Sequence, residues 1–235
     1  MTAAQIVREL KPLGAASYKK VLLNHGIKEP VLGVKIEELK RIQKRVKKDH
    51  QLALGLFDTG IYDAQYLAGL IADETKMTKK DLRHWLATGN CTSLCGSIVA
   101  QVAAESDHGR ELALEWIESK DENTAQTGWQ TLASFVAITD DADLDVPELE
   151  RLVRRVGKTI HAQPNLVRYA MNGFLIAVGS YVRSLTDLAM RTADAVGPVM
   201  VDMGNTACQV PLASAYIEKV AKRGAIGKKR KSARC

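Results

Sequence analysis

Aromatic residues are scarce in this 235-residue chain, at 5% of the total. Alanine, leucine and valine carry the apolar content instead, a mixture that favours helices over a β-sandwich. Long apolar runs are missing too. The longest window without Asp, Glu, Lys or Arg, 84–104, is broken by Thr88-Gly89-Asn90-Cys91-Thr92-Ser93, a polar turn that no lipid-facing helix tolerates. The first 23 residues carry Arg8, Glu9, Lys11, Lys19 and Lys20 and contain no apolar core of secretory-signal length. The four cysteines, without an export signal, point to reduced thiols. These absences set the expectation of a cytoplasmic, mostly helical protein with no membrane association.

Familiar catalytic signatures are absent as well. Cys91 and Cys95 stand four apart, but Cys208 and Cys235 make no second close pair, so structural zinc is not expected. His25, His84, His108 and His161 are scattered, with no His-Glu-x-x-His and no Gly-x-Ser-x-Gly arrangement. Gly227-Lys228-Lys229 lacks the upstream glycine and downstream hydroxyl of a phosphate-cradling loop. The expectation is no metal and no cofactor.

What the chain does have is charge in blocks. The formal net charge is +6, yet residues 1–50 hold twelve basic and five acidic groups, residues 105–150 hold two and thirteen, and residues 218–235 hold eight and one. Local positive stripes suit an anionic partner better than a uniform surplus does. Lys40, Arg41 and Lys44 line one helix face, and Lys228, Lys229, Arg230, Lys231 and Arg234 crowd the C-terminus. With Gly224 and Gly227 preceding it, that last segment is expected to be a mobile basic arm able to lie along phosphates. A solubilising role is the alternative for any one cluster.

Helical periodicity recurs along the chain. Ile36, Leu39, Ile42 and Val46 share a face, as do Leu149, Leu152, Val153 and Val156, while 166–178 is nearly apolar throughout. Trp85, Trp116 and Trp129 lie at helical spacing among apolar residues and are expected in the core, with Trp85 close enough to the polar turn to face a ligand. The spacing predicts helix pairs at 34–58 with 61–73, 79–88 with 94–104, 108–118 with 123–138, and 146–162 with 165–179. Pairs of that length fit an all-α, HEAT-like solenoid in which each pair buries its apolar face by stacking; an irregular helical bundle is the other solution. The expected organisation is one repeat domain over 1–217, with one concave face, followed by a basic tail over 218–235.

Three segments, in this order, resemble the DNA alkylation repair family, the HEAT-like alkylpurine DNA glycosylases. They are Tyr18 with Asn24-His25-Gly26-Ile27, Pro30 and Gly33-Val34; then Tyr62-Asp63-Ala64-Gln65-Tyr66-Leu67-Ala68-Gly69-Leu70-Ile71; and finally Val201-Asp202-Met203-Gly204-Asn205-Thr206-Ala207-Cys208-Gln209-Val210-Pro211 with Gly227-Lys228-Lys229-Arg230-Lys231. The resemblance favours repeats over a bundle. It also implies excision of a cationic alkylated purine, assisted by an Asp and by tryptophans that cradle the deoxyribose. The matching segment here is Trp85–Gly96. In one register the family's Asp falls on Thr92 and a tryptophan on Thr88; in the other they fall on Gly96 and Thr92. The second tryptophan falls near Asn172-Gly173 and a DNA-contacting arginine near Gly128. Neither register offers a carboxylate, and the nearest, Asp81 and Asp107, lie outside the turn.

The reading that follows is a monomeric DNA-binding repeat protein for duplex, damaged or structured DNA, with weak or absent base excision and no catalytic residue assigned. Its expected DNA contacts are Lys40, Arg41, Lys44, Arg83, Arg168, Lys228, Lys229, Arg230 and Lys231. A non-catalytic scaffold that binds a protein partner through the acidic stretch 105–150 is the alternative.

Overall fold

Several helices in this chain begin where a side chain accepts a free N–H group of the first turn, as at Thr2, Asp49, Thr78, Asp121 and Asp145. The computed structural model describes residues 1–204 and 206–234; Asn205 and Cys235 lie outside the described residues. Thr2 caps α1 (Ala3–Leu10) in a capping box with Gln5, and α2 spans Ala16–Asn24. Next come α3 (Ile36–Val46), α4 (His50–Phe57) and α5 (Tyr62–Ile71). Thr78 and Asp81 form a second capping box at the start of α6 (Lys79–Thr88). A helical run then joins α7 (Thr92–Leu94), a π-helical turn at Cys95–Val99 and α8 (Ala100–Glu105). The rest are α9 (Gly109–Trp116), α10 (Glu122–Ile138), α11 (Val146–Thr159), α12 (Asn165–Tyr181), α13 (Thr186–Val196) and α14 (Ala213–Lys222). Among the described residues no strand forms; one isolated bridge links Gly14 and Val34.

The expected helix pairs are present, with one break. The segment read as a helix over 34–58 divides, because Lys47 takes a left-handed φ of 63° and Asp49 then caps α4 by accepting the Leu52 N–H at 3.1 Å. Periodicity did not indicate α13 or α14.

The described residues pack as two compact units: Met1–His108 with Gly204, Thr206 and Arg234, and Gly109–Met203 with Ala207–Ala233. In the first, α5 is buried on nearly every side, and Phe57 stacks on Trp85 with ring centroids 4.2 Å apart. In the second, α10 packs along α12, and Trp129 meets the edge of Phe174 at 5.2 Å. Gly128 sits where α10 presses on α9: a Cβ there would lie 2.7 Å from the Ile117 nitrogen and 2.9 Å from the Ala113 oxygen.

The C-terminal segment is docked, not a mobile arm. The helix α14 runs through residue 218, Ile226 packs on the second unit's core, and Ala233 is buried. The Gly227 N–H donates to the Ser180 oxygen at 2.9 Å and the Arg230 N–H to the Ala137 oxygen at 2.8 Å. Lys229 donates to the Val136 oxygen at 3.0 Å and pairs with Asp141 at 2.8 Å. The expectation of mobility found no apolar anchor; Ile226, just before the basic run, and Ala233, within it, provide them.

Glycine substitutions test this packing. Gly128→Ala should destabilise the chain by about 1–3 kcal/mol, because backbone atoms rather than a flexible side chain block the methyl. Gly55→Ala in α4 meets only the Ala3 Cβ, at 3.4 Å. It should be neutral or stabilising by up to about 1 kcal/mol. Urea denaturation of both variants checks the contrast.

Candidate functional site

The polar turn between α6 and α7 is built on α5. Two buried polar side chains on that helix, Asp63 and Gln65, hold what surrounds it. The Asp63 carboxylate accepts the N–H of Leu32 at 2.6 Å and of Val34 at 2.7 Å, fixing the loop where Gly33 adopts φ 80°. A Cβ on Gly33 would meet Ala15 and Lys19 at 2.7 Å, so this loop has room for hydrogen alone. Gln65 donates to the carbonyls of Phe57 at 2.9 Å and Thr88 at 3.1 Å, and accepts the Asn90 N–H at 2.8 Å. Asn90 in turn donates to the Gly60 oxygen at 3.2 Å and accepts the Lys28 N–H at 3.0 Å. The first two resembling segments thus meet through Asp63, and the turn joins them through Gln65 and Asn90.

Within the turn, Thr88, Thr92 and Ser93 are exposed and Gly96 is half-buried in the π-helical turn. Cys91 and Cys95 are buried free thiols; Cys91 lies 3.2 Å from the Ser93 hydroxyl and Cys95 3.6 Å from the Leu86 oxygen. Gly89 keeps Cys95 close, since a Cβ there would lie 2.6 Å from its sulfur. Cys208 is exposed, and Cys235 lies outside the described residues. Trp85 does not face a ligand: it is fully buried against Phe57, and Trp116 and Trp129 are core residues as well.

Three of the nearby acids are committed elsewhere. Asp81 accepts from the Thr78 hydroxyl at 2.6 Å and its N–H at 3.0 Å, Asp58 binds His84 Nε2 at 2.8 Å, and Asp63 is spent on the loop. Asp107 is an exposed residue of the bend after α8. Burial pushes the Tyr62 phenol well above its usual range, and Cys91, Tyr66, Tyr18 and Asp63 add to the rise. It stays neutral and offers no phenolate in place of a carboxylate.

Two further places singled out by the resemblance lie in the second unit. Gly128, near which it puts an arginine, lies in the α9–α10 contact with no space for any side chain. Asn172, near the second tryptophan position, is buried and donates to the Pro211 oxygen at 2.9 Å. With Asn165, which exchanges two hydrogen bonds with the Asp202 backbone at 2.7 and 2.9 Å, it ties the 198–212 segment to α12.

The expected cationic contacts divide. Arg41, Lys44, Arg83, Lys228, Arg230 and Lys231 are exposed, and Lys40 is half-buried on α3. Arg41 pairs with Glu38 at 2.6 Å, and Lys229 is tied to Asp141. Arg168 is half-buried, reaching the Asn165 side chain at 3.3 Å. Arg234, expected in the mobile basic arm, is instead held in the first unit by Glu74 and Glu105. Its partners lie more than a hundred residues away in the chain, so no local pattern signals them.

A family model described as DNA alkylation repair enzyme matches residues 6–201. The chain belongs to this family. Similar proteins of the family's kind include uncharacterized ones from Listeria monocytogenes serovar 1/2a, 35% identical over 228 residues, and Listeria innocua serovar 6a, 33% identical over 228 residues. Each alignment covers 95% of this chain and 99% of the relative. A solved structure superposes with a TM-score of 0.91 at 34% identity, covering 100% of both chains. That protein is described as one of a new family related to the HEAT-like repeat DNA glycosylases with affinity for branched DNA structures. This alkylation-repair family member therefore has the all-α, HEAT-like repeat fold. No helix among its described residues is long and apolar enough to cross a membrane.

Asp63→Ala should strand two buried N–H groups, at roughly 1–3 kcal/mol each, and lower the urea midpoint accordingly. Asp63→Asn, which keeps one acceptor oxygen, should fall between it and the wild type. A second test concerns Glu74. Burial opposes its charge, but hydrogen bonds from Lys48, its own backbone N–H and Arg234 outweigh that and hold it below the ordinary value of 4.5. Its contribution is therefore full above about pH 4.5 and lost as pH falls through the lower native value. Glu74→Gln should flatten the acid limb of the stability curve there and leave its slope above pH 6 unchanged.

Proposed function

We propose that this chain is a cytoplasmic, monomeric DNA-binding protein that recognises branched or otherwise structured DNA and excises alkylated purines slowly or not at all. The observation that carries the reading is the turn at Thr88–Gly96, where the family's acid position holds Thr92 or Gly96 while Asp81, Asp58 and Asp63 are engaged elsewhere. An N3- or N7-alkylpurine is already a good leaving group. What an enzyme adds is negative charge beside the developing oxocarbenium sugar, and a neutral hydroxyl supplies none. The affinity of the structurally similar protein for branched DNA supports the choice of ligand. Lys40, Arg41, Lys44, Arg83 and Arg168, with the tail cations Lys228, Lys229, Arg230 and Lys231, are the groups offered to phosphates. Specificity for a branch then rests on where the phosphates lie, since none of these residues needs to read a base.

Gel shifts of four-way, three-way, abasic, alkylated and plain duplex DNA of matched length test the binding. Branched substrates should bind most tightly, with affinity falling steeply with salt. Lys44→Ala should weaken all of them similarly and reduce the slope of log K against log[salt] by about 0.9. Equal, salt-insensitive affinities would sink the reading. In parallel, release of 7-methylguanine or 3-methyladenine should be about 10²–10³ slower than for an acid-bearing relative. Rapid release by the purified protein would show that another carboxylate supplies the charge.

A further inference from the structure

The first unit contains a socket shaped for a guanidinium group. Its floor is the C-terminal end of α5, where the carbonyls of Gly69 and Ala72 have no helical partner further on. Its walls are Glu74, in the short 3-10 turn that follows α5, and Glu105, the last residue of α8. Arg234 fills it. Nη1 donates to the oxygens of Gly69 at 3.0 Å and Ala72 at 2.8 Å; Nη2 reaches Glu74 and Glu105 at 2.5 Å; Nε reaches Glu105 at 2.6 Å. Every guanidinium N–H is thereby engaged, and the backbone N–H of Arg234 adds a bond to Glu105 at 3.2 Å. The side chains of Arg234, Glu74 and Glu105 are only 10%, 17% and 11% exposed. Lys48 also pairs with Glu74.

We propose that this socket is an arginine latch: it captures Arg234 and thereby holds the basic segment Lys228–Arg234 against the protein, with Lys229 and Arg234 withheld from nucleic acid, until phosphates compete for them. The step to nucleic acid rests on the DNA-binding reading above; the latch itself does not. The chemistry of the socket selects arginine over lysine, because four acceptors arranged around a plane match a forked, planar donor and not a point charge with three N–H groups. The occupant belongs to a run of cations, of which Lys228, Arg230 and Lys231 stay exposed while Lys229 and Arg234 are neutralised by Asp141 and by Glu74 and Glu105. Carboxylates and phosphates bind the same groups. Each charge held by the protein is one withheld from DNA, and opening the latch makes the segment available as a set.

Limited trypsin digestion of the full chain tests the latch without DNA. Cleavage within 228–231 should be slow in the wild type, about tenfold or more faster in Arg234→Ala, and intermediate in Arg234→Lys. Equal rates in all three overturn the proposal. Because Arg234→Ala strands two carboxylates and could loosen the fold, Glu105→Gln provides a second opening with one charge fewer; its segment should be cut faster while the helical body stays resistant. A chemical rescue separates the socket from the segment. Millimolar methylguanidinium should raise the thermal midpoint of Arg234→Ala but not of the wild type, methylammonium should raise neither, and the segment should remain cleavable. Rescue by both ions alike, or by neither, overturns a guanidinium socket. With four-way junction DNA, Arg234→Ala should steepen the salt slope by about 0.9 for every phosphate the released segment gains. An unchanged slope despite faster cleavage overturns the coupling to DNA. Absence of junction binding by either protein refutes the proposed function, while the digestion and rescue results still decide the latch.

Discussion

The buried polar groups of α5 are the constraint on which the first unit depends. A helix surrounded by apolar neighbours gains from burial on all sides, yet this one keeps Asp63 and Gln65 out of water. A buried polar group is tolerated only when its bonds are made, and breaking a satisfied network is more damaging than never having had it. Asp63 makes both of its bonds to one loop, and Gln65 makes three to backbone groups of two other segments. The loop also buries Ile27, Val31 and Val34, but the N–H groups of Leu32 and Val34 are met by Asp63. The positions of loop and turn follow from α5, and so does the position of every hydroxyl in the candidate site.

This division explains what the sequence makes legible. Helix pairs show in the spacing of apolar residues, because each helix buries one face and periodicity records that face directly. Starts show where Thr78, Asp121 or Asp145 accepts the N–H three residues on, a relation that lies within a single turn. The break at Lys47 is hidden, since a left-handed lysine carries no signature and the hydrophobic pattern runs straight through it. The docked C-terminus is hidden for a different reason. Lys229 and Arg234 look like any exposed basic run until Asp141, Glu74 and Glu105 are brought beside them, and only tertiary structure does that.

The site was legible mainly as a departure. The resemblance expects an acid in Thr88–Gly96, where the sequence has no Asp or Glu, but it cannot say whether a neighbour replaces it. Geometry answers for the neighbours one at a time: Asp81 is a cap, Asp58 is bound to a histidine, and Asp63 supports a loop. Gly128 adds a positive reason. Gly128, near which the resemblance places a DNA-contacting arginine, is a close-packed crossing in which a single methyl would strike backbone atoms. No side chain fits at that position without moving α9 or α10.

The residues at these positions differ in what a substitution could supply. Placing a carboxylate at Thr92 would set it in the first turn of a helical run, where the positive end of the helix favours the ionised form. Negative charge could be supplied there by one substitution. The aromatic cradle could not, because Trp85 is locked against Phe57 in the core and Asn172 is occupied in holding the 198–212 segment to α12. Replacing Asn172 with a tryptophan would both overfill a buried position and release that segment. A charge without a positioned sugar stabilises the transition state little, since electrostatic catalysis depends on groups fixed in place before the reaction. The packing of the second unit thus leaves no room for such a cradle at Asn172, whereas the exposed lysines and arginines lie outside it.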